Sequence, residues 1–148
     1  MPDTISSKVA SAATVIAAAT AVAALFIALH QIDVARQIQR EASARDAFKE
    51  YLKLAMDKPE FADASLGKIS KSANSRSGYT WFVSYFLFSA EQIYQSFPND
   101  SEWSAALSHQ VCYHKTYLQS NEYQKKLKTH YSQSFAEFVD QSLKGCLN

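Results

Sequence analysis

Glycine and proline are scarce in this chain, at three each in 148 residues. So few turn-formers argue against an all-β fold and against the nucleotide folds built on Gly-rich loops. No excess of one charge exists either: 15 Lys and Arg stand against 14 Asp and Glu, a net charge of +1. That balance removes a general electrostatic case for DNA binding, and no DNA partner is expected. Cysteine occurs twice, at Cys112 and Cys146, with no Cys-x-x-Cys pair. Missing too are GxSxG, HExxH, P-loop and paired-carboxylate signatures. The chain is therefore expected not to be an enzyme and to need no cofactor. Its length suits one small domain, or a small domain plus an anchor.

What is present first is a long uncharged run. Residues 9–29 carry no charged side chain, and only Ser11, Thr14 and Thr20 are polar. As a helix these residues span about 31 Å, matching a bilayer core of about 30 Å. A buried soluble helix seldom runs so long without a charge. A cleaved signal peptide would have a shorter apolar region and a small-residue end, whereas this run closes on Leu25-Phe26-Ile27. The segment reads as a transmembrane anchor over 1–30, followed by a soluble domain over 31–148. Lys8 alone precedes the run, and Arg36, Arg40, Arg45 and Lys49 follow it. The positive-inside rule then places the C-terminal domain in the cytoplasm, with the anchor in the plasma membrane. Ala13, Ala17 and Ala21 form a small-residue ridge, continued by Ala24 and Ala28. Such seams let transmembrane helices approach closely, so a homo-oligomer is expected.

The soluble part reads as all-α. Val34, Ile38, Ala42, Arg45, Phe48, Leu52 and Ala55 follow helical spacing, so one helix is expected from about residue 8 to 57. It stops before Pro59, which opens a short turn to Ala64. Residues 65–78 hold five serines, two glycines and no acid, a loop signal. Residues 79–97 carry eight aromatics on every side, so this helix is expected to be central and nearly all buried. Asn99 or Asp100 caps the next helix, whose stripe is Trp103, Leu107, Val111, His114 and Leu118. A final helix follows from Tyr123, with a kink at residues 129–132 and Gly145 as its C-cap. Together these make a cytosolic four-helix bundle-like domain.

Candidate chemistry is thin. In a cytoplasmic domain Cys112 and Cys146 are expected as free thiols. His109, Cys112 and His114 do not share one helix face, so they read as ordinary helical residues rather than a zinc site. Glu91, inside the aromatic helix, is expected to hydrogen-bond a neighbouring backbone, Tyr or Trp group. The strongest candidate is the loop at 65–78, where Lys68, Lys71 and Arg76 precede a helix N-terminus, a setting that favours anions. His114 and Lys115 add charge from a rigid helix, with Tyr117 placed to stack. These six residues form the expected ligand site. The bland alternative is a solvated basic surface meeting anionic lipid headgroups.

The layout carries a resemblance. A short N-terminus and an Ala-rich span lead into HQIDVARQIQREASARDAFKEYLKLAMDKPEFA and then GYTWFVSYFLFSAEQIYQSFPNDSEW. The chain resembles small single-span bacterial membrane proteins with helical cytosolic domains. Among them it resembles the type III CRISPR-associated membrane effectors that bind cyclic tetra-adenylate. That resemblance implies an antiviral effector that binds a cyclic oligoadenylate, assembles as an oligomer, with a tetramer expected, and acts on the bilayer. The other class consistent with the sequence is a non-catalytic membrane scaffold that docks a partner protein through its helical domain.

Overall fold

The computed structural model describes residues 3–62 and 73–146. The chain is all-α, and no strand occurs among the described residues. It divides into two compact units, Met1–Gln39 and Arg40–Asn148.

The first unit is formed by the N-terminal part of α1, a 55-residue helix over Asp3–Asp57. Ile16, Leu25, Phe26 and Ile27 are all exposed along it. Thr20 is polar, and its hydroxyl donates to the Ile16 carbonyl at 2.9 Å, inside the helix's own ladder. One helix among the described residues is thus long and apolar enough to cross a membrane, with a mean hydropathy of 1.7.

The second unit packs around α3, which covers Ala73–Ser96. Tyr79, Phe82, Val83, Phe86, Leu87, Ala90 and Ile93 are buried at three- and four-residue spacing. Against them lie Ala44, Phe48 and Tyr51 from the C-terminal part of α1. The Tyr51 ring stands 5.5 Å from Phe82 and 5.1 Å from Phe86. Phe48 meets Trp103 edge-on at 5.5 Å, a favoured aromatic geometry. The stripe expected on α1 holds at Phe48 and Ala55, which meet the core, but Ala44 and Tyr51 complete it, while Val34, Ile38 and Leu52 are exposed.

One boundary also moves. Helix α2 is the short turn Pro59–Ala62 that Pro59 opens. Helix α3 begins at Ala73 rather than Tyr79, so Arg76 and Gly78 belong to a helix and not to a loop. Ser, Asn and Gly lower helix propensity only modestly, and tertiary packing overrides it. Helix α4, Ser101–Tyr113, starts as expected at Asp100, whose Oδ1 accepts from the backbone N–H of Glu102 and Trp103 at 3.0 Å. Asn99 before it adopts φ 66, a left-handed turn that Asn tolerates.

The stripe from Trp103 to Leu118 is not one helix. It breaks at His114 and resumes as the single turn α5, Lys115–Leu118. The final segment is likewise divided. A π-helical turn over Tyr123–Leu127 and a 3-10 turn over Lys128–His130 precede α6, Gln133–Gly145. Tyr131 is fully extended between them, a complete break where a kink is expected. Gly145 ends α6 without a positive φ, so it is not a left-handed cap. The Glu91 carboxylate accepts the Ser132 N–H at 2.7 Å, the backbone role expected of it.

Candidate functional site

Of the six residues expected to bind a ligand, the four that are described do not form one exposed basic cluster. Lys68 and Lys71 lie outside the described residues. Arg76 is exposed near the start of α3. His114 is 0% exposed, enclosed by Tyr79, Phe82 and Phe86. Burial pushes its imidazole down to about 4, so the ring is neutral at physiological pH and supplies no cation there. Tyr117 is buried as well, its ring 5.5 Å from Tyr79, and burial pushes its hydroxyl up. The Lys115 ammonium donates to the Cys146 carbonyl at 3.5 Å. The helix stripe explains the outcome: His114 occupies a core position, and a neutral imidazole takes the place of an apolar side chain.

The free-thiol expectation is corrected. Cys112 on α4 and Cys146 at the end of α6 form a disulfide, with Cα atoms 5.5 Å apart. Helices α4 and α6 lie side by side, and the Ser108 and Ser142 hydroxyls pair between them at 2.9 Å. Sequence spacing does not reveal that adjacency. Cys112 is thereby also removed from any grouping with His109 and His114.

The expectation that α3 is nearly all buried fails at two aromatics, and the candidate site lies there. Trp81 is 73% exposed and Phe88 is 52% exposed. They project from α3 beside an open groove of about 600 Å³. Leu54 of α1 and Phe61 of α2 form its other wall, and Phe82 and Tyr85 also line it. Positions 81, 85 and 88 follow i, i+4, i+7 spacing, a second stripe distinct from the core stripe at 79, 82, 86, 90 and 93. That spacing is readable in the sequence, but eight aromatics in nineteen residues conceal it.

Polar groups are few in the groove. Ser84 lines it, but its hydroxyl donates to the Thr80 carbonyl at 2.9 Å. Lys58 is the one charged residue among the lining. It forms no ion pair among the described residues. An apolar concavity with a single placed charge is the usual form of a small-ligand site and is well within the usual range of volume. Comparison with protein-family models, with curated proteins and with solved structures finds no match for the chain.

Proposed function

We propose that this chain is a membrane-anchored, non-catalytic binding module whose helical domain takes an apolar ligand in the groove beside α3. The observation that carries the reading is the exposure of Trp81 and Phe88 on the edge of an apolar cavity. Large aromatics normally bury, and a contiguous exposed apolar surface marks an interaction site. The anchor is the long apolar part of α1. The non-catalytic reading is supported by where the perturbed groups sit: Tyr51, Tyr79, His114, Tyr117 and Tyr123 are core residues, and neither Tyr131 nor Lys53 lines the groove.

The disulfide bears on the side of the membrane. Disulfides persist in oxidising compartments and are rare in the cytosol. We therefore place the helical domain outside the cytoplasm, opposite to the side that Arg36, Arg40, Arg45 and Lys49 suggest. Cyclic oligoadenylate binding, which the resemblance implies, has weaker support. Two of its candidate residues are in the core and a third is engaged with Cys146. Docking of a partner protein would use the same groove. Self-association through the alanine ridge of α1 remains compatible with either.

A photoreactive benzoylphenylalanine in place of Trp81, in the full chain in membranes, tests the reading. The expected result is an ultraviolet-dependent adduct that Phe88→Asp abolishes. If position 81 captures nothing, while titration of the full chain with cyclic tetra-adenylate shows binding lost in Lys115→Ala, the oligoadenylate reading takes its place.

A further inference from the structure

We propose that the groove holds a single acyl chain with an anionic head group, its head at Lys58. The inference rests on the binding-module reading above and names the ligand class for that site. The walls are almost entirely carbon, and the one hydroxyl whose bonding is defined, Ser84, is already committed to the Thr80 carbonyl. A polar ligand would lose its hydration there and find few partners, which is costly. The wall formed by Trp81, Tyr85 and Phe88 extends about 10 Å along α3, at 1.5 Å rise per residue. An apolar wall of that length suits a chain of methylenes.

The single charge sets the head group. Lys58 follows the last residue of α1 and lines the groove, with no ion pair among the described residues. Its ammonium would complement a carboxylate or a phosphate, and its methylene stem would lie along the apolar wall. A neutral lipid would leave that charge unused. An oligonucleotide would need several cations where the groove has one. Gly78 contributes space: a Cβ there would stand 3.4 Å from the Phe61 ring, so any longer side chain would fill the gap between α3 and α2. The same chain carries a helix long and apolar enough to enter a bilayer, and bilayers are a reservoir of such amphiphiles.

Both a free fatty acid and a lysophospholipid have this chemistry, and the experiment separates them. The full chain is placed in phosphatidylcholine nanodiscs with diazirine-labelled palmitate in one arm and diazirine-labelled lysophosphatidylglycerol in the other. After illumination, adducts are mapped by peptide mass spectrometry. The expected result is labelling within 78–88 in at least one arm, in addition to labelling of the apolar part of α1. Lys58→Glu should reduce the groove labelling about tenfold, as loss of a charge-assisted bond implies. Lys58→Arg should retain it, and Phe88→Asp should abolish it. Labelling of the α1 segment should stay constant throughout, which reports equal partitioning. Retention of the Cys112–Cys146 disulfide on non-reducing gels reports folding.

Adducts confined to α1, or groove labelling that ignores Lys58→Glu, overturn the proposal. A chain-to-chain crosslink from position 81 in place of an acyl adduct overturns it in favour of a second copy in the groove. If benzoylphenylalanine at 81 captures a protein and no acyl adduct forms, the acyl class falls and the binding-module reading stands. If neither probe reacts at the groove, both fall.

Discussion

Tyr79 and His114 share a buried hydrogen bond, the tyrosine hydroxyl lying 3.0 Å from Nδ1 across a sequence separation of 35 residues. The contact joins α3 to the break between α4 and α5 at the centre of the aromatic core. The other imidazole nitrogen, Nε2, has no partner among the described residues. With Phe82 and Phe86 as further neighbours, protonation would place an uncompensated charge among aromatic rings.

That geometry gives the fold a defined pH dependence. Burial lowers the His114 pKa from 6.5 in an unfolded chain to about 4. Below 6.5 the unfolded state binds a proton that the folded state refuses. The stabilisation is fully present above pH 6.5 and is lost as pH falls towards 4, by roughly 3 kcal/mol in all. Guanidinium unfolding of the full chain in detergent, followed by Trp103 fluorescence in a Trp81→Phe background, should show this slope. Adding His114→Phe with Tyr79→Phe should flatten it between pH 6.5 and 4. An equal slope in both proteins would remove His114 from the acid response.

How much of this was legible beforehand depends on the kind of interaction. The long helix to Asp57, the stop before Pro59 and the cap at Asp100 are set by local chemistry, and all three read correctly. The register of α1 is legible at Phe48 and Ala55 but not at Ala44 and Leu52, which are both apolar, so that only packing against α3 selects between them. The break at His114 is a tertiary effect too: the stripe through it continues unbroken in sequence, while the backbone leaves helical geometry at φ −103, ψ 12. For the site, cations are the visible signal in the sequence, and a helix aromatic on every face reads as core. The structure assigns His114 to the core and Trp81 to the surface, a partition that hydrophobic periodicity alone does not settle when every face is aromatic.

The cap at Asp100 should be worth a measurable amount. Its Oδ1 satisfies two N–H groups at the start of α4, with Trp103 among them and packed against Phe97 at 5.8 Å. Asp100→Ala should destabilise the helical domain by about 1 kcal/mol, and Asp100→Asn by less. Equal loss in the two variants would mean that the carboxylate's charge, not its acceptor geometry, carries the effect.

Reduction of the disulfide should weaken the same domain. The crosslink closes a loop of 34 residues that contains both π-helical and 3-10 turns. In the chain-entropy account such a closure contributes about 3–4 kcal/mol by restricting the unfolded state. Cys112→Ser with Cys146→Ser should lower the denaturation midpoint by a corresponding amount, and dithiothreitol should do so in the unmodified chain alone. A midpoint insensitive to reductant would show that the α4–α6 packing stands without the bond.

The side of the membrane is the sharpest conflict between two physical signals. Four basic residues follow the apolar run and one precedes it, which favours a cytoplasmic C-terminal domain. Pairing does not soften that count: Arg36 lies 3.9 Å from Asp33 and Arg45 lies 3.9 Å from Glu41, but the rule responds to Lys and Arg and not to net charge. The Cys112–Cys146 bond points the other way, because glutathione and thioredoxin keep cytosolic thiols reduced. Translocation bias is a statistical preference of insertion, and an oxidised pair favours an oxidising compartment for the folded domain. Alkaline phosphatase fused after Asn148 should therefore be active, and green fluorescent protein fused at the same point should be dark. A membrane-permeant maleimide should label neither cysteine until reductant is added. A fluorescent fusion, with both thiols labelled in intact cells, would return the domain to the cytoplasm and restore the charge rule as the deciding term.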